Sequence, residues 1–547
     1  MLDERSGRLS NTVKDAGHFD AVIIGAGFSG LYQLLRLRDH LGLRTVVLEM
    51  ADGVGGTWHW NRYPGARCDS ESHSYCYYFD DALLRDWEWT ERYPGHEEIR
   101  RYLNHVADRY RLRPDIRLNT RVSGARYDDG RRHWVLDTEG GERLTSRFLI
   151  TAVGCLSAAN IPDVPGLGRF AGRWYHTGQW PHEGVDFRGR RVAMIGTGST
   201  GIQCAPEIAE TAAHLTVFQR TANYSLPANN GPLSEAFRQY LREHSDEVRE
   251  VMRSTTNGHP FRICDRSAFD VTPQEREAIY EEAWRKGGLQ FRASFRDLMS
   301  DQAANDTAAE FIKAKIRRLV ADPLKAAILS DIDHPFAAKR PPIDTNYFET
   351  FNRSNVSLVD LRTNPIEAIV PQGIQTREAM HEADILVFAT GFDALTGPLL
   401  RIGIEGRNGL TLADAWRAGP RNHLGLQVPG FPNLFTITGP GSPSVLCNMP
   451  VAIEQHVDWI TACIDHMRRN GLATVESTDA AADAWTAQVQ SVAEGTLLPK
   501  ARHSWYLGAN IPGKPRVFMP YAGGLARYRG ICEQVVERGY EGFVFGP

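Results

Sequence analysis

Two copies of the pattern GxGxxG constrain the fold of this chain more than any other feature. They consist of Gly25, Gly27 and Gly30, and of Gly196, Gly198 and Gly201. Each copy follows a short apolar run and precedes a stretch with helical periodicity. In such a strand-loop-helix unit, glycine lets the backbone approach a pyrophosphate, which lies at the helix N-terminus where unpaired N–H groups favour anions. The sequence therefore predicts an α/β fold with two Rossmann-like dinucleotide-binding domains.

The residue that ends the second strand differs between the two units. Glu49 lies 19 residues after Gly30, and Arg220 lies 19 residues after Gly201. A carboxylate accepts hydrogen bonds from a ribose diol but repels a 2'-phosphate, which a guanidinium binds bidentately. We therefore predict that the first unit binds FAD and the second binds NADPH. A surface arginine without a ligand is the alternative for Arg220.

Composition and charge exclude several classes of protein. The 547 residues are 42% hydrophobic and 23% charged, with a net charge of −4 and no basic stripe, so nucleic acid is not expected as a partner. The first 17 residues lack the apolar core of a signal peptide, and no apolar run is long enough to span a membrane. We expect a cytoplasmic monomer or homodimer that acts on a small molecule, with no membrane association and no obligatory protein partner.

The eight cysteines contain no CxxC pair, and their scatter fits neither a disulfide framework nor a metal site. We expect most of them to be buried, and we predict no metal. Disulfide reductases carry a CxxxxC pair on the helix after the first nucleotide loop, whereas Cys68 and Cys76 are eight residues apart and come later. That class is disfavoured, while a simple electron-transfer reductase remains an alternative.

Two apolar strands mark the points where the chain is expected to cross between domains. FLITAVG at 148–154 is typical of an exit from a flavin domain, and ADILVFATGFD at 383–393 is typical of the return. The NADP domain is thus expected to be inserted into the FAD domain. The predicted boundaries are 1–154 and 383–547 for the FAD-binding domain, 155–228 and 334–382 for the NADP-binding domain, and 229–333 for a helical subdomain.

Local signals predict the helical subdomain. The stretch TPQE at 272–275 forms a capping box with proline at the first helical position, and Gly287 closes the helix that it starts. A second helix is indicated by an apolar face made of Phe311, Ile312, Ile316, Leu319 and Val320.

An aromatic-rich stretch precedes the second nucleotide loop. Residues 170–181, FAGRWYHTGQWP, fit the pattern FxGxxxHxxxWP through Phe170, Gly172, His176, Trp180 and Pro181. This resembles the fingerprint of Baeyer–Villiger monooxygenases, and relatives that oxygenate nitrogen or sulfur usually lack the Trp-Pro ending. Because the stretch lies between the exit from the flavin domain and the second Rossmann strand, we interpret it as a linker that contacts both domains.

The resemblance extends over nearly the whole chain. A second family pattern is GGTWHWNRYPGARCD at 55–69. Further matching stretches are KRPPIDTNYFETFNR at 339–353, FATGFDALTG at 388–397, GPGSPSVLCNM at 439–449 and SWYLGANIPGKPRVF at 504–518. Within the family, these motifs are most similar to those of phenylacetone monooxygenase and steroid monooxygenase.

The resemblance implies an activity. NADPH reduces FAD, O2 adds to the flavin, and a flavin peroxide anion attacks a ketone, so that one oxygen atom is inserted next to the carbonyl to give an ester or lactone. Aryl-alkyl, cyclic and steroid-like ketones are the implied substrates, with sulfides as side substrates. An N- or S-oxygenating flavin-containing monooxygenase and a non-catalytic nucleotide-binding regulator remain as alternatives.

The resemblance also implies catalytic residues. Arg340 would stabilise the peroxide anion, Asp69 would orient Arg340, and Trp505 would close over nicotinamide and substrate. His176 would act indirectly, through domain motion; without the resemblance we would interpret it as a packed linker residue. For Asp69 and Arg340 the alternative is an ordinary ion pair, and for Trp505 a core aromatic.

Cofactor and substrate contacts follow from the two loops and the resemblance together. The predicted FAD contacts are Gly25, Gly27, Gly30, Glu49, Gly56, Thr57 and Trp58. The predicted NADP contacts are Gly196, Gly198, Ser199, Thr200, Gly201, Arg220 and Lys339, and Asp69, Arg340 and Trp505 are expected to border the cofactors. Lys339 would support Arg220 at the 2'-phosphate, with a solvated charge as its alternative. Ser444, Val445 and Leu446 are expected to border the substrate pocket.

Overall fold

A computed structural model describes residues 14–547 and contains an eight-stranded sheet and a five-stranded sheet. The expectation that no signal peptide is present rests mainly on residues 1–13, which lie outside the described residues. No helix between residues 14 and 547 combines the length and the apolar character that crossing a membrane requires.

Twenty strands lie within the described residues. They are β1 (Lys14–Ile24), β2 (Thr45–Leu48), β3 (Ile116–Arg117), β4 (Val122–Asp128), β5 (His133–Thr138), β6 (Glu142–Thr151), β7 (Arg173–His176), β8 (Arg191–Ile195), β9 (His214–Gln219), β10 (Leu226–Pro227), β11 (Ile343–Asp344), β12 (Val356–Asp360), β13 (Ile366–Val370), β14 (Gly373–Thr376), β15 (Met380–Glu382), β16 (Ile385–Phe388), β17 (Ile404–Glu405), β18 (Leu434–Thr436), β19 (Thr474–Ser477) and β20 (Phe543–Gly546).

The α-helices of the same region number sixteen. They are α1 (Phe28–Leu35), α2 (Thr57–Trp60), α3 (Asp81–Asp86), α4 (His96–Arg109), α5 (Ser199–Thr211), α6 (Glu235–Glu243), α7 (Ser245–Ser254), α8 (Pro273–Lys286), α9 (Gln302–Leu319), α10 (Pro323–Ser330), α11 (Tyr347–Thr350), α12 (Gly397–Leu400), α13 (Leu412–Ala415), α14 (Met449–Arg469), α15 (Asp479–Glu494) and α16 (Leu525–Glu537).

The larger sheet has the order β17-β4-β5-β6-β1-β2-β3, and β18 pairs with the end of β6. Strand β1 lies between two parallel neighbours, β2 and β6. Its last residues are buried on both faces, which explains why the sequence there is an unbroken apolar run. All residues of α1, which follows β1, are buried as well, with α14 as a major neighbour.

The smaller sheet has the order β12-β9-β8-β16-β7. The chain leaves the larger sheet after β6 and returns to it at β17, so one Rossmann-like unit is inserted into the other, as predicted. We expected the stretch 383–393 to open the second part of the flavin domain. That placement is wrong for β16, which lies between β8 and β7 of the smaller sheet. An apolar strand followed by Thr-Gly has the same local sequence signals in either sheet. Only its pairing with residues far away in the sequence decides which sheet it joins.

The segment between the sheets also differs from the expectation of a linker. Its residues 173–176 form β7, an edge strand that pairs in parallel with β16. The aromatic residues of this segment, Trp174 and Tyr175, have the β-propensity that such a strand requires.

The helical subdomain comprises α6 to α10, and its predicted capping box is confirmed. Thr272 Oγ1 accepts a hydrogen bond from the backbone N–H of Glu275 at 3.2 Å, and Glu275 Oε2 accepts one from the N–H of Thr272 at 2.9 Å. Gly287 caps the C-terminus of α8 with φ 70°. On α9, Ile312 and Ile316 are fully buried, as the apolar face predicts.

The cysteines follow the prediction of buried, unpaired thiols. All eight are free, and seven are buried. Cys264 is the one that keeps partial exposure.

Candidate active site

Both nucleotide loops turn at their first glycine and pack against a neighbouring strand of their own sheet. Gly25 has φ 104° and Gly196 has φ 113°. A Cβ on Gly25 would lie 2.5 Å from the carbonyl oxygen of Ala152, which follows β6. A Cβ on Gly196 would lie 2.4 Å from that of Ala389, which follows β16. The stretches FLITAVG and ILVFATG are therefore structural counterparts.

The third glycine of each loop lets a helix start directly beside the turn. A Cβ on Gly30 would lie 1.8 Å from the carbonyl oxygen of Gly25, and the second loop repeats this contact at Gly201 with 2.2 Å. Gly198, by contrast, has no atom within 4 Å of its Cβ position, and Ser199 beside it is exposed. An anionic ligand can therefore reach the N-terminus of α5.

Glu49 lies directly after β2, where the first loop passes. It is buried, and its carboxylate accepts hydrogen bonds from the backbone N–H groups of Ala26 at 2.7 Å and Ala51 at 2.8 Å. Burial raises the pKa of Glu49, and these backbone hydrogen bonds oppose that effect. Since a carboxylate can accept about four hydrogen bonds, Glu49 keeps acceptor capacity for a ligand.

The predicted FAD residues around α2 lie beside the same loop. A Cβ on Gly56 would lie 2.9 Å from the Cα of Gly27. Thr57 is exposed, whereas Trp58 is buried and donates its Nε1–H to the Tyr75 hydroxyl at 3.3 Å.

Arg220 and Lys339 lie close enough for their charges to interact, although they are distant in the sequence. Arg220 is exposed and directly follows β9. Burial lowers the pKa of Lys339, the Asp333 carboxylate opposes this, and the positive charge of Arg220 lowers the pKa further. Two neighbouring cations at the end of the second strand suit a doubly charged anion.

Arg340 and Asp69 form a bidentate ion pair. The Arg340 Nε–H donates to Asp69 Oδ2 at 2.6 Å, and Nη2 donates to Asp69 Oδ1 at 3.1 Å. Nη2 also lies 3.4 Å from the hydroxyl of Ser70. Burial favours the neutral form of Arg340, but the charge and hydrogen bonds of Asp69 prevail and raise its pKa. The guanidinium is therefore charged at every physiological pH.

Two further contacts join Arg340 to the C-terminal part of the chain. Its Nη1 donates to the carbonyl oxygen of Val445 at 3.3 Å, and its backbone N–H donates to the hydroxyl of Tyr506 at 3.2 Å. Val445, Leu446, Trp505 and Tyr506 belong to one apolar cluster, in which Trp505 is half-buried. Ser444 is fully buried. The structure thus brings the predicted substrate border and the Trp505 loop together at Arg340.

His176 is buried at the end of β7, apart from this cluster. Its Nδ1 accepts a hydrogen bond from the backbone N–H of Gly178 at 3.0 Å, and its ring lies edge-on to Phe392 at 6.0 Å. Its Nε2 is buried without a hydrogen-bond partner among residues 14–547. Burial lowers the pKa of His176, so the ring is neutral at neutral pH. Thr177, the next residue, lies within hydrogen-bonding distance of Thr200 in the second nucleotide loop, at 3.4 Å.

Contacts around the fingerprint connect the two sheets. Tyr63, from the GGTWHWNRYPG stretch, donates its hydroxyl hydrogen to Gln203 Oε1 on α5 at 2.8 Å. Tyr63 and Trp180 are both buried in the apolar cluster under the smaller sheet. Trp180 packs on Tyr175 and Phe187, and the expectation that the fingerprint aromatics contact both domains stays a prediction.

One group of potential metal ligands lies beside the fingerprint, although the sequence predicts no metal. Asp52, His59 and His182 place their ligand atoms within 4.8 Å of one another. Burial lowers the pKa of His59 to about 4, with Arg62 and Arg100 adding positive charge nearby. That positive charge opposes a bound cation, and we assign this group no function.

Sequence reasoning missed Tyr506, Ser70 and Arg292. Tyr506 follows Trp505 in the sequence, and Ser70 follows Asp69. Their position next to predicted site residues was the signal that could have identified them. Arg292 lies near Arg340 in space, where the charge of Arg340 and burial act on it. No sequence motif marks that position.

This chain is similar to known proteins both in a family model and over its whole length. Residues 19–259 match the family model described as pyridine nucleotide-disulphide oxidoreductase. The chain is 43% identical to a Baeyer–Villiger monooxygenase of Pseudooceanicola batsensis, with 98% of each chain covered. It is 41% identical to the phenazine N-monooxygenase PhzNO1 of Lysobacter antibioticus, with 97% of each covered.

The chain also resembles solved structures over nearly its full length. It superposes on an oxidised steroid monooxygenase bound to NADP with a TM-score of 0.92. The two chains are 48% identical, and the match covers 97% of this chain and 99% of the other.

Proposed function

This chain belongs to the Baeyer–Villiger monooxygenase family, and on that premise we propose which of its residues oxygenate a ketone. The protein is an FAD- and NADPH-dependent monooxygenase that inserts one oxygen atom of O2 next to a ketone carbonyl, giving an ester or lactone. The observation that supports our assignment of residues is the Arg340–Asp69 ion pair beside Val445 and Tyr506.

The first loop and its neighbours fit FAD. Gly25 and Gly30 are positions that a Cβ would block, and Glu49 keeps acceptor positions for a ribose diol. Gly56 packs against Gly27, Thr57 and Trp58 follow it in α2, and we assign all four to the FAD site. Bound FAD, reduced by NADPH, supplies the activated oxygen.

The second loop fits NADPH. Gly196, Gly198 and Gly201 leave the N-terminus of α5 accessible to a pyrophosphate, with Ser199 and Thr200 as the first residues of that helix. Arg220 and Lys339 supply two cations for the 2'-phosphate. This charge pattern favours NADPH over NADH.

Arg340 stabilises the negative charge that develops on oxygen. A cation about 4 Å from a unit negative charge, at an effective dielectric constant near 20, contributes about 4 kcal/mol. That corresponds to roughly 3 pKa units for an acid at the same place. The electrostatic contribution therefore favours the ionised form of an oxygen nucleophile by about three orders of magnitude.

Asp69 is a positioning residue for Arg340. Its two oxygens hold Nε and Nη2, which leaves Nη1 directed at the carbonyl oxygen of Val445. The orientation of the guanidinium is therefore fixed from one side while the other side adjoins the proposed substrate border.

Trp505 controls the access of water to the site, and His176 supports the motion of the smaller unit. Trp505 is half-buried in the cluster beside Arg340 and can exclude water from cofactor and substrate when its loop closes. His176 is neutral and buried in β7, too enclosed to act as a general base, and it supports the joint between the smaller sheet and its nucleotide loop.

Ser444, Val445 and Leu446 are our candidates for the residues that shape the ketone site. Aryl-alkyl, cyclic and steroid-like ketones are the proposed substrate group, with sulfides as side substrates. N-oxygenation is retained only as an outcome of the experiments, since one relative is a phenazine N-monooxygenase. We also retain the expectation of a cytoplasmic monomer or homodimer that needs no protein partner.

The variant Arg340→Ala tests the assignment. We expect reduction of FAD by NADPH to persist, ester formation to fall by about a thousand-fold, and the consumed oxygen to appear as hydrogen peroxide. FAD content and the rate of flavin reduction report whether the variant is folded. Arg143→Ala is a matched control, because Arg143 forms a bidentate pair with Asp137 on the larger sheet. Unchanged ester formation by the Arg340 variant would remove that residue from the mechanism.

A further inference from the structure

A second arginine lies close to the Arg340–Asp69 pair. Arg292 belongs to a short 3-10 helix, residues 288–293, between α8 and α9. Its Nε is buried and has no hydrogen-bond partner among residues 14–547. The neighbouring Phe291 is fully buried against Phe336, four residues before Arg340, with ring centroids 5.5 Å apart. This short helix is therefore packed against the segment that leads to Arg340.

The groups around Arg292 leave its charge uncompensated. Burial and the positive charge of Arg340 lower the pKa of Arg292 to about 10, so it remains protonated at neutral pH. Asp69 is the carboxylate that acts on it, but both oxygens of Asp69 are engaged by Arg340.

The other titratable neighbours do not supply a negative charge. Burial, with Arg340 and Arg292, lowers the pKa of His259 well below its usual value, so its ring is neutral. Burial raises the pKa of Tyr506, so its hydroxyl is neutral too. The cluster therefore holds two guanidinium groups and one carboxylate.

Arg292 is partly buried, and its Nε–H lies in the interior without an acceptor; a buried donor without a partner is costly unless a ligand supplies the acceptor. The phosphates of NADPH are assigned to the α5 N-terminus and to Arg220 and Lys339, which leaves Arg292 for the substrate. We propose that Arg292 forms an anion-binding subsite beside Arg340, and that the preferred substrates are ketones that carry a carboxylate. This inference rests on the proposed function.

The subsite would orient as well as bind. A guanidinium holds a carboxylate through two parallel N–H···O hydrogen bonds, which fix its direction. With the carboxylate at Arg292, the ketone carbonyl is presented toward Arg340, and the carbon chain between them contacts the apolar cluster of Val445 and Trp505. The length of that chain therefore selects the substrate.

The test compares methyl ketones that end in a carboxylate, from 4-oxopentanoate to 8-oxononanoate, with their methyl esters. With the FAD-loaded enzyme we expect kcat/KM for the best acid to exceed that for its ester by at least about ten-fold. Arg292→Leu is expected to abolish this preference, so that the acid and its ester are converted with similar kcat/KM, and the KM for NADPH is measured in parallel. Arg296→Leu is the matched control, since Arg296 is exposed in the next turn of the chain, where it contacts Asp265.

Three results would overturn the proposal. The first is that the wild-type enzyme prefers the ester at every chain length, a result that can be observed without any variant. Another is an unchanged acid preference in Arg292→Leu. The third is a raised KM for NADPH with the acid preference intact, which would assign Arg292 to the cofactor.

A binding measurement separates this inference from the proposed function. If no ketone is oxygenated, the proposed function fails, and hexanoate is titrated into the oxidised holoenzyme while the flavin absorbance is followed. We expect the Kd for hexanoate to be at least about ten-fold higher in Arg292→Leu than in the wild type. Equal Kd values would refute the subsite.

Discussion

At the scale of single residues, we propose that Arg220 determines the choice of nicotinamide cofactor. Arg220→Ala is expected to raise the KM for NADPH by about ten- to a hundred-fold and to leave the KM for NADH nearly unchanged, because only NADPH carries the 2'-phosphate. Steady-state kinetics with both cofactors measure this. Arg190→Ala is the control, since Arg190 is exposed before β8, at the opposite end of that strand from the loop. A similar increase for both cofactors would contradict the assignment.

Glu454 links the stability of the fold to pH. It is buried in α14 and accepts a hydrogen bond from the backbone N–H of Tyr78 at 2.5 Å, and burial raises its pKa to about 7. The unfolded chain releases this proton at the ordinary, lower pKa, so it binds fewer protons than the folded protein between that value and about pH 7. The folded state therefore loses stability as the pH rises through this window.

The variant Glu454→Gln removes the ionisation and keeps the carbonyl acceptor for Tyr78. We expect the free energy of unfolding to exceed that of the wild type by about 1–3 kcal/mol at pH 8 and by much less at pH 5. Urea unfolding at the two pH values measures the difference. A gain of equal size at both pH values would show that the effect comes from packing and not from the proton.

At the scale of elements, two glycines of the second strand-loop-helix unit have different roles: we expect Gly201 to be needed for folding and Gly198 for cofactor binding. A Cβ at position 201 would lie 2.2 Å from the Gly196 carbonyl oxygen, whereas position 198 is open. Gly201→Ala is therefore expected to lower the thermal stability, and Gly198→Ala to leave it unchanged while the Kd for NADPH rises. Thermal melting and NADPH titration of both variants provide the measurement. Normal NADPH affinity in Gly198→Ala would indicate that the dinucleotide does not pass over this loop.

Local elements were predictable from the sequence because their causes are local. The glycine spacing determines the turn at Gly196, and the capping box at Thr272 needs only the next three residues. Sheet membership is not local: β16 and β7 carry ordinary strand signals, and their pairing depends on residues far away. Sequence reasoning therefore placed β16 in the wrong sheet and took β7 for part of a linker.

The candidate site was predictable only in part, for the same physical reason. Arg340 and Asp69 are 271 residues apart, and the family resemblance, not any spacing, pointed to their pairing. Arg292 stayed hidden because a partly buried arginine without an ion-pair partner leaves no pattern in the sequence. Its position follows from how the helical subdomain packs on the rest of the chain.

At the scale of the whole molecule, the inserted topology assembles the site from distant parts of the chain. Asp69 precedes the insertion, Arg340 lies within it, and Val445 and Tyr506 follow it. Tyr63 and Gln203 join the two Rossmann-like units on another side. Motion of the smaller unit would therefore change the surroundings of Arg340 and the cofactors together.

The most direct test of ketone oxygenation by this protein is incubation of the FAD-loaded enzyme with NADPH, heavy-isotope O2 and a panel of ketones. The products are then identified by mass spectrometry. The panel contains phenylacetone, cyclohexanone, progesterone and the keto acids. We expect an ester or lactone that contains one heavy oxygen atom, formed with consumption of one NADPH. NADPH consumption that yields only heavy hydrogen peroxide with every ketone, or label that enters only an added amine, would contradict it.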